Sequence, residues 1–281
     1  MQPPPSKRVC FLHAVVGALL LAGTLLGGTG CADHPSRTAG YSPFGTVDTI
    51  RTTEAPRDSV LALLTSMDRA AFDSAFARLD EHRVTRHVHT EQLDTMGRIT
   101  AYRTLTLRYP AGAGAGTVQR ADSAGSFRTG GLFSGITPAQ QRTSRPPDLA
   151  AQVLPDDPPY LAPRTREAYR YALRRDSLLG GTPTYVVEAK ARSEGRGAEQ
   201  SVRYARLTLD RTSRALVGLT TVRASQVLLF RESSRLTVRL RPAPGGGWVP
   251  HLTRVRAVVK VPFRAPRQFR TASAFYTYER P

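Results

Sequence analysis

The first periodic run of apolar residues spans 57–79. Val60, Leu61, Leu64, Met67, Ala71, Phe72, Ala75, Phe76 and Leu79 recur at spacings of three and four. That spacing puts them on one side of a helix. Asp58 or Ser59 can cap its start, and Ser66 or Asp68 can cap a restart. The pattern therefore predicts one amphipathic helix, or two short ones burying the same face. The period then changes to two. Val84–Leu93 and Arg98–Tyr109 alternate, with Asp94-Thr95-Met96-Gly97 between them. This predicts a hairpin whose glycine takes a positive φ.

A second alternating region fills the C-terminal part. Strands are predicted over 184–191, 202–209, 215–223, 227–230, 236–240, 248–261 and 269–278. Turns are expected at Glu194–Gly197, Asp210–Ser213 and Pro242–Gly247. One side of these strands is apolar, and the other carries Arg, Thr and Ser, as in a sheet with one wet face. Between the two regions, Thr165–Asp176 reads as a second short helix ending near Gly180-Gly181. Residues 110–160 have no period. Ala and Gly alternate over 111–116, prolines follow, and a short helix near Pro138–Gln141 fits, with Leu132, Phe133 and Ile136 expected to insert into something. The expected fold class is α+β: an open antiparallel β half-barrel, built as a meander, with a packed N-terminal helix and a second short helix. The expected division is a leader at 1–30, a Cys31-containing tether at 31–55, and one domain at 56–281 with a Gly/Pro-rich insertion at 110–160.

The leader changes the picture most. Lys7 and Arg8 precede an apolar run, Val9–Leu26, which ends in Gly27-Gly28-Thr29-Gly30-Cys31. A charged start, an apolar middle and a small-residue exit describe an export signal. Cys31 after the small residues resembles the lipobox of bacterial lipoproteins. That resemblance implies cleavage before Cys31 and acylation of Cys31, hence a lipid anchor. Gly28 stands where that family prefers Leu, so ordinary signal-peptidase cleavage and an uncleaved apolar anchor remain as alternatives. Cys10 would leave with the leader, making Cys31 the only mature cysteine. Ala32 rather than Asp follows Cys31, which favours the outer membrane, facing the periplasm, over the inner one.

The formal charge of +18 belongs here too. Only Lys7, Lys190 and Lys260 of the 40 basic residues are Lys, and the chain has no Asn. Arg has replaced Lys as a GC-rich genome would dictate, and two of the charges lie in the leader. In the C-terminal strands Arg235, Arg239, Arg241, Arg254 and Arg256 alternate with apolar residues. They give an Arg-studded sheet face that is either simply solvated or faces membrane phosphates. Export argues against a nucleic-acid partner.

The order of leader, amphipathic helix 57–79, hairpin 84–109 and meander resembles the lipoprotein-carrier half-barrel class, which includes periplasmic lipoprotein carriers and their outer-membrane receptors. Arg206–Leu216, in which Asp210 ends one strand and a small polar turn leads to the next, resembles that family's strand-turn-strand. The resemblance implies a concave apolar face that holds acyl chains. The partners it implies are membrane lipid through acylated Cys31, and an apolar ligand or another envelope protein.

Chemistry is sparse. His87, His89 and Glu91 share one side of a strand and are the best metal-like spacing, although the polar face of a strand explains them equally. His82 is expected to be exposed after a helix end, and His251 is isolated. Asp156-Asp157 lies between prolines and reads as turn chemistry. No Gly-x-Ser-x-Gly, GxGxxG or HExxH occurs. The expectation is a protein that is not an enzyme, has no catalytic residue and needs no cofactor. Ligand binding or envelope assembly leads, an adaptor for another envelope protein comes second, and a metal-dependent hydrolase centred on His87, His89 and Glu91 comes last.

Overall fold

A computed structural model describes residues 57–112, 114–127, 154–192, 201–227, 230–260, 263 and 265–281. The leader, Cys31, the tether and the middle of the 110–160 stretch lie outside the described residues. So do the suggested helix near 138–141 and the residues Leu132, Phe133 and Ile136. Among the described residues no helix is long and apolar enough to cross a membrane.

Two short helices precede the sheet. They are α1 (Arg57–Thr65) and α2 (Arg69–Ala77), the latter continued by one tight turn, Arg78–Glu81. The break between them has a tertiary cause. Asp68 caps α2 by accepting from the Ala71 N–H at 3.1 Å. Its own N–H donates to the Arg214 carbonyl, and its carbonyl accepts from Leu216, which forms an isolated bridge to the start of a strand. A continuous helix could not make that bridge, because its backbone groups would already be used.

Among the described residues ten strands follow: β1 (Arg83–Leu93), β2 (Ile99–Tyr109), β3 (Thr117–Ala124), β4 (Tyr169–Leu179), β5 (Thr182–Ala191), β6 (Ser201–Asp210), β7 (Leu216–Val227), β8 (Phe230–Pro242), β9 (Trp248–Lys260) and β10 (Arg267–Glu279). They form one antiparallel sheet in the order β3-β2-β1-β10-β9-β8-β7-β6-β5-β4. Every neighbour except β1–β10 is consecutive in sequence. This is the cyclic order of an up-and-down barrel left open between β3 and β4, with two helices on one face. The α+β half-barrel meander expected from the sequence is the observed fold.

Three local expectations differ. Thr165–Asp176 is not a helix. Only Arg166–Ala168 makes a tight helical turn, and Tyr169 begins β4. Its Ala, Leu and Arg content suits a helix, but Tyr169, Tyr171 and Leu173 alternate. In register with Ala191, Ala189 and Val187 of β5, they put three large apolar groups on the helix-covered face. Burial of that face outweighs helix propensity. The segment 227–230 is not a separate strand either. β7 runs to Val227, β8 starts at Phe230, and β8 continues unbroken through the 236–240 segment. Finally, β3 occupies part of the stretch read as irregular, because its backbone can pair with β2 although almost all of its residues are exposed.

The turns follow their residue chemistry. Asp94 accepts from the N–H groups of Met96 and Arg98 at 2.9 and 2.8 Å, and Gly97 takes φ +78°. Asp210 accepts from the N–H groups of Thr212 and Ser213 at 2.9 and 2.6 Å. The core lies between the helices and one sheet face. Val60, Leu64, Phe72 and Phe76 pack against Val187, Leu207, Leu219 and Val238. A smaller apolar cluster, Val88, Leu105, Leu107 and Tyr109, forms on the β1–β2 part of the sheet.

Candidate functional site

Strand register decides what shares a face. On the helix-covered side, Val84, Arg86 and Val88 of β1 lie opposite Tyr109, Leu107 and Leu105 of β2. Arg86 and Val88 lie opposite Phe275 and Ser273 of β10. A cation thus stands in an apolar row, and it is only 9% exposed. Its Nε donates to Ser273 Oγ at 2.6 Å and its Nη1 to the Tyr109 hydroxyl at 3.4 Å. Its guanidinium carbon lies 5.3 Å from the centroid of the Phe275 ring. Among the described residues no carboxylate pairs with it.

Thr253 of β9 sits directly opposite Ser273. It is 8% exposed, and its Oγ1 is buried with no hydrogen-bond partner. A buried charge normally has a counter-charge, and a buried hydroxyl normally has a partner. A guanidinium on β1 and a free hydroxyl on β9, with Ser273 of β10 between them and Val88, Leu105 and Leu107 on the β2 side, make a site that attracts an anionic oxygen next to apolar side chains. Nothing in the one-dimensional pattern singled these residues out. Their signal was Arg86 at an apolar position of an alternating strand.

The opposite face holds the metal-like spacing. His87, His89 and Glu91 do share it, as strand alternation predicts. There they lie opposite Thr106, Thr104 and Tyr102 of β2. Each is already engaged. His87 Nδ1 lies 3.2 Å from Thr106 Oγ1, and His89 Nδ1 lies 2.8 Å from Thr104 Oγ1. His89 Nε2 lies 3.1 Å from Glu91 Oε1, and Arg270 Nε donates to Glu91 Oε2 at 2.7 Å. Among the described residues no three His, Cys, Asp or Glu side chains are grouped to hold a metal ion. Burial would raise the Glu91 carboxyl, but hydrogen bonds from His89 and Arg270, with the guanidinium charge, hold it below the ordinary value. Burial pushes His87 down, helped by His89 and Arg120. The cluster fastens β2, β1 and β10 together.

That role has a pH signature. Because the folded-state value of Glu91 is depressed, its contribution is present above the ordinary carboxylate value of 4.5 and is lost as pH falls through the folded value. Glu91→Gln should cost about 2 kcal/mol at neutral pH, which discounts a buried pair for the partial exposure of Arg270. Urea unfolding at neutral and acid pH checks this. The gap between wild type and variant should close in acid, and an equal gap at both pH values would refute the assignment.

The remaining candidates are structural. His82 is buried rather than exposed, with Nδ1 2.9 Å from the Arg78 carbonyl and its ring edge-on to Tyr278. The tight turn after α2 folds it inward. Asp156 pairs with Arg69, whose guanidinium also donates to the carbonyls of Leu154 and Pro155. Gly245–Gly247 form the β8–β9 turn, with Arg78 donating to the Gly246 carbonyl at 2.7 Å.

Fold and site together define an α+β protein built on an open antiparallel half-barrel, with a buried arginine on its helix-covered face. No family model matches the chain. No curated protein matches it either. Among solved structures, a DUF1329 family protein from Desulfovibrio piger ATCC 29098 aligns at 11% identity, over 81% of this chain and 94% of that one, with a TM-score of 0.28. The tesB protein MAP1729c of Mycobacterium avium subs paratuberculosis aligns at 8% identity over 74% and 85%, with a TM-score of 0.13. Likeness at this level carries no argument about function.

Proposed function

We propose that this chain is a non-catalytic cell-envelope protein, anchored through acylated Cys31, that binds an acyl-bearing amphiphile with an anionic head on the helix-covered face of its half-barrel. The observation that carries this reading is Arg86. It is buried without a carboxylate, bound to Ser273, which stands opposite Thr253 and its unpartnered hydroxyl. An anionic head group would take the guanidinium fork and the hydroxyl together, and its acyl chain would enter the buried cluster of Val88, Leu105 and Leu107 by displacing what covers it. The anchor sequence and the open meander agree with this reading. Outer-membrane placement, facing the periplasm, follows from Ala32 after Cys31.

The test is native mass spectrometry and lipid extraction of the full exported chain. An acidic amphiphile should co-purify. Arg86→Met should lower its occupancy about ten- to a hundredfold, the effect of one charge-assisted hydrogen-bonded contact. The fold should be kept, because replacing a buried cation by an apolar group of similar length is neutral or stabilising. A wild-type protein free of lipid, or an Arg86→Met protein that keeps it, would refute the proposal.

A second reading has one observation behind it. β3 is an edge strand with almost every residue exposed, Val118 among them. Such an edge accepts a strand from a partner protein, which is how an envelope adaptor would use it.

A further inference from the structure

The outward face of the β8–β9 hairpin carries cations in register. Arg235 is directly opposite Arg256, and Arg256 is directly opposite Arg270 of β10. Nearer the β7–β8 end of the same face, Arg231 is directly opposite Lys260, and Arg239 lies farther along β8. Side chains directly opposite on adjacent antiparallel strands stand about 5 Å apart, where like charges destabilise the pair.

Elsewhere on this face several arginines are neutralised, although Arg170 and Lys190, directly opposite each other on β4 and β5, form a second unneutralised pair. Glu91 takes Arg270, and Glu188 takes both Arg174 and Arg206 at 3.1 and 3.0 Å. Arg231, Arg235, Arg239, Arg256 and Lys260 pair with no carboxylate among the described residues. The one hydrogen bond among them is from Arg256 to the Gln268 side chain. Glu232, the acid on the same strand, lies opposite Val259 and so belongs to the other face. The sheet therefore keeps a line of repelling cations where one carboxylate would have relieved it.

We infer that this face docks on an anionic bilayer, with lipid phosphates bridging the opposed guanidinium groups. Phosphates between opposed arginines convert the repulsion into bidentate contacts. A second feature favours a bilayer over other polyanions. Phe263, in the β9–β10 connection just beyond Lys260, is 105% exposed and held at φ +58°. An exposed aromatic ring three residues beyond Lys260 in sequence suits the head-group boundary, where its apolar body enters lipid while the charges stay with phosphate. This docking surface lies on the face opposite Arg86 and stands independently of the amphiphile site.

The experiment measures binding of the full exported chain to vesicles of phosphatidylcholine alone, or mixed with phosphatidylglycerol, at low and high salt. The triple variant Arg235→Gln, Arg256→Gln, Lys260→Gln should lose about a hundredfold in the phosphatidylglycerol-dependent affinity, since each cation near an anionic surface contributes about fivefold. Its Tm should be unchanged or higher, because repulsion has been removed. A charge-matched control, Arg164→Gln, Arg170→Gln, Lys190→Gln, removes the opposed Arg170–Lys190 pair and a nearby cation at the β4 end of the sheet, three to four strands from β8. It should stay within about threefold, because charges beyond a Debye length are screened. Failure of the lipid anchor would lower binding to both vesicle types alike, so the two proposals fail distinguishably. Equal losses in both triples, no loss in the first, or duplex DNA bound as tightly as the acidic vesicles would overturn the inference.

Discussion

Phe72→Ala should destabilise the protein by about 3–5 kcal/mol, the cost of emptying a fully buried aromatic site. Phe72 is 0% exposed and sits in α2, its ring centroid 5.2 Å from that of Phe76. It cannot be replaced by local collapse, because α2 is held at both ends. Asp68 ties its start to the Ala215 region, and Arg78 at its end donates to the Gly246 carbonyl of the β8–β9 turn. For a chain of this size, each kcal/mol moves Tm by a few degrees, so a drop of about 10 °C is expected in thermal unfolding. Met96→Ala, at an exposed position in the β1–β2 turn, should stay within about 0.5 kcal/mol. Similar effects from the two substitutions would show that the helices do not seal the main core.

Cys31→Ala should move the protein from the membrane fraction to the soluble fraction. Each buried methylene of an acyl chain contributes about 0.8 kcal/mol, and two or more chains give stable attachment that polar contacts do not replace. The readouts are fractionation and the mass of the N-terminal peptide, which should gain acyl mass in the wild type and lose it in the variant. Unchanged membrane association with an intact leader would instead establish the uncleaved apolar anchor, and a soluble wild type would establish ordinary signal cleavage.

Much of the fold was legible because its elements are strongly periodic. The 57–79 helix face, the 84–109 hairpin with its Asp94 turn, and the Asp210 turn all follow from local spacing and side-chain chemistry. The error at 165–176 shows where that legibility ends. Tyr169-Arg170-Tyr171-Ala172-Leu173 satisfies both a helical composition and a strand alternation, and only the presence of β5 beside it selects the strand. The site was less legible. His87, His89 and Glu91 drew notice because they are close in sequence, yet their partners Thr104, Thr106 and Arg270 consume them. Arg86, Ser273 and Thr253 carry no local signal, because they are far apart in sequence and come together only across β1, β10 and β9.

The sequence by itself determined the periods, the turns and the side of each strand that is apolar. These are local properties, fixed by neighbours a few residues away. The tertiary structure alone decided that β10 returns to pair with β1, and so which residues stand opposite one another. That pairing puts a guanidinium without a carboxylate and an unpartnered hydroxyl on either side of Ser273 on one face. On the other face the register of β8, β9 and β10 turns scattered arginines into an opposed row. Register is a long-range choice made by burial of the whole apolar face, and a slip of one residue would reverse every side chain on the strand.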